Sequence, residues 1–172
     1  MAHARQEAQR ARPAAPALPA CEFSAFIDGL TIRDPKELIL INPPLVPESA
    51  FDAAIARNRG YYAFPPNGLL YLCAVAKQVK PDIKLKVVDL NYELLKRAQA
   101  EGFQYGFWKV LLRDTLDSCE APHVGVTCMF GATKVGFLEV TRWLREQYPD
   151  IPVLCGGVQA TYDFKELLDA DA

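Results

Sequence analysis

Apolar residues gather in four short runs separated by longer stretches with helical spacing. Leu38-Ile39-Leu40-Ile41 is uninterrupted, the pattern of a strand covered on both faces. Asn42-Pro43-Pro44 stops it, because proline cannot donate to a ladder. Lys84 to Asp89 is a second strand, ended by Asp89 and Asn91. Val124-Gly125-Val126-Thr127-Cys128-Met129 is a third. Pro152-Val153-Leu154-Cys155 is a fourth, closed by Gly156-Gly157. Between the first two, Pro65-Pro66-Asn67-Gly68 opens a helix reaching about Val79, with Leu69, Leu72, Val75, Ala76 and Val79 near one face. A helical region from about Tyr92 to Ser118 is expected to break near Gly102 and Gly106, poor helix residues both. A helix from Ala132 to Tyr148 carries the apolar stripe Phe137, Val140, Leu144 and Tyr148, and Pro149-Asp150 ends it. A last helix-like stretch starts at Asp163.

Strands alternating with helices predict an α/β fold: a Rossmann-like or flavodoxin-like parallel sheet with helices on both faces. Right-handed crossovers restrict its topology, and the order 2-1-3-4 is the natural one. A fifth strand is expected after the fourth, and the chain stops at Ala172 before it. Residues 37–172 therefore read as an α/β domain that is incomplete at its C-terminal end, its fourth strand lacking an outer neighbour. Ahead of it, residues 1–20 are rich in Ala, Arg and Pro, and are expected to form a disordered leader. Residues 21–36 carry Phe23, Phe26, Ile27 and Leu30, as either a short amphipathic helix or a packing strap.

Bulk chemistry narrows the partners. A formal charge of −2 over 172 residues argues against a nucleic-acid partner. No apolar run approaches the roughly 20 residues of a membrane span, and a cytoplasmic location is expected. The five cysteines match no zinc or iron–sulfur spacing, so no metal site is read from them. They are expected to be buried thiols in a reducing compartment.

In open α/β sheets, ligands bind outside the carboxyl ends of the strands. A dinucleotide or P-loop site needs glycines directly after the first strand, whereas this chain has Asn42-Pro43-Pro44 and no glycine before Gly60. A phospho-receiver aspartate is missing from the end of the third strand, where Thr127-Cys128-Met129 stand. The Ser/Thr/Gly-rich phosphate loop of a flavodoxin is missing too. What remains is a rim of neutral groups: Asn42, Thr127, Cys128, Met129, Phe130, Gly156, Gly157, Gln159, Ala160 and Thr161. Taken singly, each has an ordinary role as a strand or turn residue. Together they suit a large flat ligand with amide fringes, and a bulky side chain at Gly157 is expected to block it.

Five segments in order carry a resemblance: LILINPP (38–44), FPPNGLLYLCAVAK (64–77), VVDLN (87–91), VGVTCMFGA (124–132) and PVLCGGVQAT (152–161). On these, the chain resembles the N-terminal cobalamin-binding domain of B12-dependent radical SAM enzymes. The resemblance implies a corrinoid held over the strand ends. It places Asn42, Pro43 and Pro44 in the first loop and Thr127, Cys128, Met129 and Phe130 beneath or beside the ring. Gly156, Gly157, Val158, Gln159, Ala160 and Thr161 then line the tail pocket or ring edge. That family often has histidine where Gln159 stands, and the change removes a titratable group. No catalytic residue is assigned. Histidine ligation of cobalt uses a D-x-H-x-x-G loop, which this chain lacks. His3 lies in the leader and His123 before the third strand. Cobalamin is therefore expected base-off with no protein histidine on cobalt. The C-x-x-x-C-x-x-C cluster motif is absent. S-adenosylmethionine and a [4Fe–4S] cluster are implied only in a downstream radical SAM barrel, acting in cis or in trans.

Two other readings stand beside this one. The chain can be a Rossmann-like interaction or scaffold domain that no longer binds B12. It can also be a small enzyme with Cys128 as nucleophile, a reading weakened because no base is expected nearby.

Overall fold

The structure is a computed structural model that describes residues 35–169. The leader and nearly all of the strap lie outside the described residues. Four strands form the sheet: β1 (Glu37–Asn42), β2 (Lys84–Asp89), β3 (Pro122–Thr127) and β4 (Val153–Gly156). All neighbours run parallel, in the order β2-β1-β3-β4. This is the Rossmann/flavodoxin-like arrangement expected from the sequence. Among the described residues, no further strand pairs with the outer edge of β4.

Among the described residues, seven α-helices connect and follow these strands: α1 (Ala53–Arg57), α2 (Asn67–Val79), α3 (Leu90–Arg97), α4 (Phe107–Asp117), α5 (Lys134–Gln147), α6 (Val158–Tyr162) and α7 (Phe164–Asp169). The long helical region breaks as expected, and the break spans 98–106 with Gly102 at φ 72°. Asp89 starts α3: its carboxylate accepts from the Tyr92 amide at 3.0 Å, satisfying an orphan donor of the first turn.

Residue parity along the strands separates two faces. Ile39, Ile41, Val88, Val124 and Val126 point to one face, where α3, α4 and α5 cover them with Leu94, Trp108, Leu112, Phe137, Val140 and Leu144. This is the hydrophobic core. Leu40, Asn42, Asp89, Gly125, Thr127, Leu154 and Gly156 belong to the other face by the same parity. The right-handed β1–β2 crossover puts α2 there.

Three expectations are corrected. β3 starts at Pro122 rather than Val124, so His123 lies within the strand and is buried instead of preceding it at the surface, and β3 ends at Thr127 rather than Met129. Its neighbour β4 turns away at Gly157, φ 102°, so Cys128 makes the last link through its amide to the Gly156 carbonyl at 2.7 Å. The expected face of α2 is also rotated. Leu69 is 6% exposed and Cys73 and Ala76 are half-buried, but Leu72, Val75 and Val79 face outward. A helix that is apolar on nearly every side does not fix its own phase. Finally, Cys128 is buried, but Cys155 is exposed because its strand is short and at the sheet edge.

Candidate functional site

The register lines up four residues at the carboxyl ends of the strands. Asn42 pairs with Asp89 across β1 and β2, and Thr127 pairs with Gly156 across β3 and β4. Ile41 pairs with Val126, so Asn42 and Thr127 come one step later on adjacent strands. The result is a row on one face: carboxylate, amide, hydroxyl, glycine. A cavity of about 370 Å³ opens above the middle of this row. Its far wall is the segment Phe64–Leu69, the entry and first turn of α2. Met129 and Phe130 close it from the loop after β3, and Phe130 remains 61% exposed. Among the described residues, no charged side chain lines the cavity.

Hydrogen bonds hold its walls. The Asn91 carboxamide accepts from the Leu45 amide at 3.1 Å and donates to the Tyr62 carbonyl at 3.0 Å. One side chain thereby ties the loop after β1 to the segment entering α2. Asn42 Nδ2 donates to Asp89 Oδ1 at 2.9 Å. The loop after β1 is also pressed on α5, where a Cβ on Gly136 would collide with the Pro44 carbonyl.

The expected site residues fall into two groups. Asn42, Pro43, Thr127, Met129 and Phe130 line the cavity. Pro44 is buried beside α5, and Cys128 sits behind the cavity, fully buried. Gly157, Gln159 and Ala160 instead meet the Cys128 backbone, while Val158 and Thr161 are exposed on α6. Gly157 closes this contact: a Cβ there would meet the Cys128 carbonyl oxygen at 2.5 Å. The Gln159 amide donates to that same carbonyl at 3.0 Å. Gly156 has open space where a Cβ would stand. Thus of the two glycines, one serves the protein's own backbone and the other faces free volume.

The Gln159 side chain is spent on a polar cluster. Its Nε2 donates to Asp163 at 2.6 Å, and Lys134 bridges Asp163 at 3.2 Å and Glu166 at 2.5 Å. These contacts bind α5 to the α6–α7 segment. The Gln159 amide, followed by Lys134, holds the Asp163 carboxyl below its usual range. Burial pushes the Cys128 thiol up, and its near neighbours are Thr133 Oγ1 at 3.7 Å and the Phe130 carbonyl. The opposing pull of Thr133 and Lys134 is weaker than burial, and a thiol pushed up in this way is in the wrong environment for a nucleophile.

Sequence reasoning missed Leu45, Phe64–Leu69, Asn91 and Thr133 as lining residues. The signal was present in Pro65-Pro66-Asn67-Gly68: a helix that follows the first strand starts over the strand ends. Among the described residues, no three His, Cys, Asp or Glu side chains group as a metal site. His123 lies at the opposite end of β3 from the cavity. The described chemistry fits an uncharged ligand with apolar faces and amide edges, since Phe64 and Phe130 offer exposed rings and Thr127 offers an unengaged hydroxyl. No family model, curated protein or solved structure matches this chain.

Proposed function

We propose that the chain is the cobalamin-binding module of a B12-dependent, methyltransferase-like radical SAM enzyme that works in the cytoplasm. The observation that carries this reading is the cleft at the strand ends, floored by Asn42 and Thr127, flanked by exposed aromatic rings and with no charged side chain among its described lining residues. Asn42, Thr127 and backbone groups would meet the amide edges of the corrinoid, and Phe64, Met129 and Phe130 its apolar faces. His123 is at the wrong end of its strand to ligate cobalt, in keeping with base-off binding without a protein histidine. The corrinoid supplies a methyl carrier when bound. S-adenosylmethionine and the cluster belong to a barrel acting in cis or in trans. Titration with hydroxocobalamin, followed by absorption spectroscopy and desalting, tests the reading. It predicts a spectral change and retained corrin; an unchanged spectrum with no corrin retained overturns it.

A second reading is favoured by one feature. Leu70, Leu72, Val75 and Val79 leave α2 with apolar side chains in water, which suits an interaction or scaffold domain. Filling the cleft separates the two. Gly68 lines it and has open space at its Cβ position. Gly68→Trp is expected to abolish corrinoid binding on the first reading and to leave function intact on the second.

A further inference from the structure

The row at the strand ends contains a contact that fixes how the Asn42 carboxamide is turned. A carboxylate only accepts hydrogen bonds. The Asn42 atom facing Asp89 at 2.9 Å must therefore be the amide nitrogen. Asp89 is itself held, because the same oxygen accepts from the Tyr92 amide at the start of α3. One of the two Asn42 N–H donors is committed to Asp89, which orients the carboxamide and leaves its carbonyl oxygen without a hydrogen-bond partner among the described residues. Beside it stands Thr127, only 8% exposed and lining the cavity, its hydroxyl without a hydrogen-bond partner among the described residues. A hydroxyl that lines a cavity without such a partner is available to a ligand.

We infer that Asn42, positioned by Asp89, and Thr127 form a subsite that selects neutral hydrogen-bond donors, primary carboxamides in particular, against carboxylates. A carboxamide donates its N–H to Asn42 Oδ1 and accepts from the Thr127 hydroxyl. A carboxylate brings an acceptor against Asn42 Oδ1, with the Asp89 charge one strand away and, among the described residues, no charged side chain lining the cleft to offset it. Asp89 is thus a positioning residue and Asn42 the reading residue. The inference holds whether or not a corrinoid is the occupant.

Matched pairs on the isotopically labelled full chain test it: propionamide against propionate and nicotinamide against nicotinate, followed by NMR at the Asn42 side-chain amide and the Thr127 methyl. The carboxamides are expected to move both signals and to bind roughly tenfold more tightly than their acids, the worth of about one hydrogen bond. Asp89→Asn retains a good helix N-cap but lets the Asn42 amide turn over, and the preference is expected to shrink to about threefold or less. Thr127→Val keeps the shape of a strand residue and is expected to weaken carboxamide binding through loss of the hydroxyl donor. Equal binding of acid and amide to the unaltered chain overturns the inference. So does an undiminished preference in folded Asp89→Asn, or the absence of any amide response at Asn42 and Thr127. Failure of hydroxocobalamin to bind while the amides still do overturns only the corrinoid reading.

Discussion

Gly156 and Gly157 are adjacent and do different work. Gly157 needs both a positive φ of 102° and the absence of a Cβ, because the Cys128 backbone lies against it. Gly157→Ala is expected to lower stability by roughly 1–3 kcal/mol, read by denaturant unfolding. Gly156→Ala is expected to stay within about 0.5 kcal/mol of the unaltered chain. Gly157→Trp is consequently no clean probe of ligand binding, since it disturbs the fold first. A turn at this glycine pair was legible in the sequence. Its purpose was not, because Cys128 is 29 residues away in the chain and only the β3–β4 register brings it near. His123 teaches the same lesson from the other end of β3. Its ring is buried with neither nitrogen hydrogen-bonded among the described residues, a cost of about 1–3 kcal/mol. His123→Leu is expected to raise stability by about 1 kcal/mol; a clear loss in thermal or chemical unfolding would contradict that account.

At the scale of elements, the strands were easy to read because both faces of β1 and β3 are covered or closely approached, so their apolar runs are continuous. The phase of α2 was not. Leu69 turns inward and Val79 is 83% exposed, although both fit an apolar stripe. Leu69→Ala is expected to cost about 2–4 kcal/mol and Val79→Ala about 0.5 kcal/mol or less, measured by urea unfolding. The amino ends of the strands are stapled by charge. Glu37 on β1 accepts from Lys84 on β2 at 2.9 Å and from the Glu120 amide at 2.8 Å. The Lys84 hydrogen bond, ahead of the backbone amides, holds the Glu37 carboxyl below its ordinary value of 4.5. A lowered folded pKa gives stability that is complete above about 4.5 and fades as pH falls through the folded value. Glu37→Gln is therefore expected to flatten the loss of stability below that pH, and an unchanged acid limb in a series of unfolding curves would refute it.

For the whole molecule, alternation of strands and helices was enough to give the sheet order, because handedness leaves few choices. The cleft was half legible. Its floor could be read from the strand ends at Asn42 and Thr127. Its wall, Phe64–Leu69, depends on how α2 enters over the sheet, and its clamp, Asn91, depends on two loops meeting. The second group around Gln159 follows β4 and braces Cys128 and α5, and it is not among the residues lining the cavity. The central claim is that this cleft holds a corrinoid. The most direct measurement is corrin retained per chain after desalting, compared between the unaltered protein and Gly68→Trp, with circular dichroism confirming that both are folded. The account predicts near-stoichiometric corrin on the first and none on the second. Equal retention by both, or none by either, would contradict it.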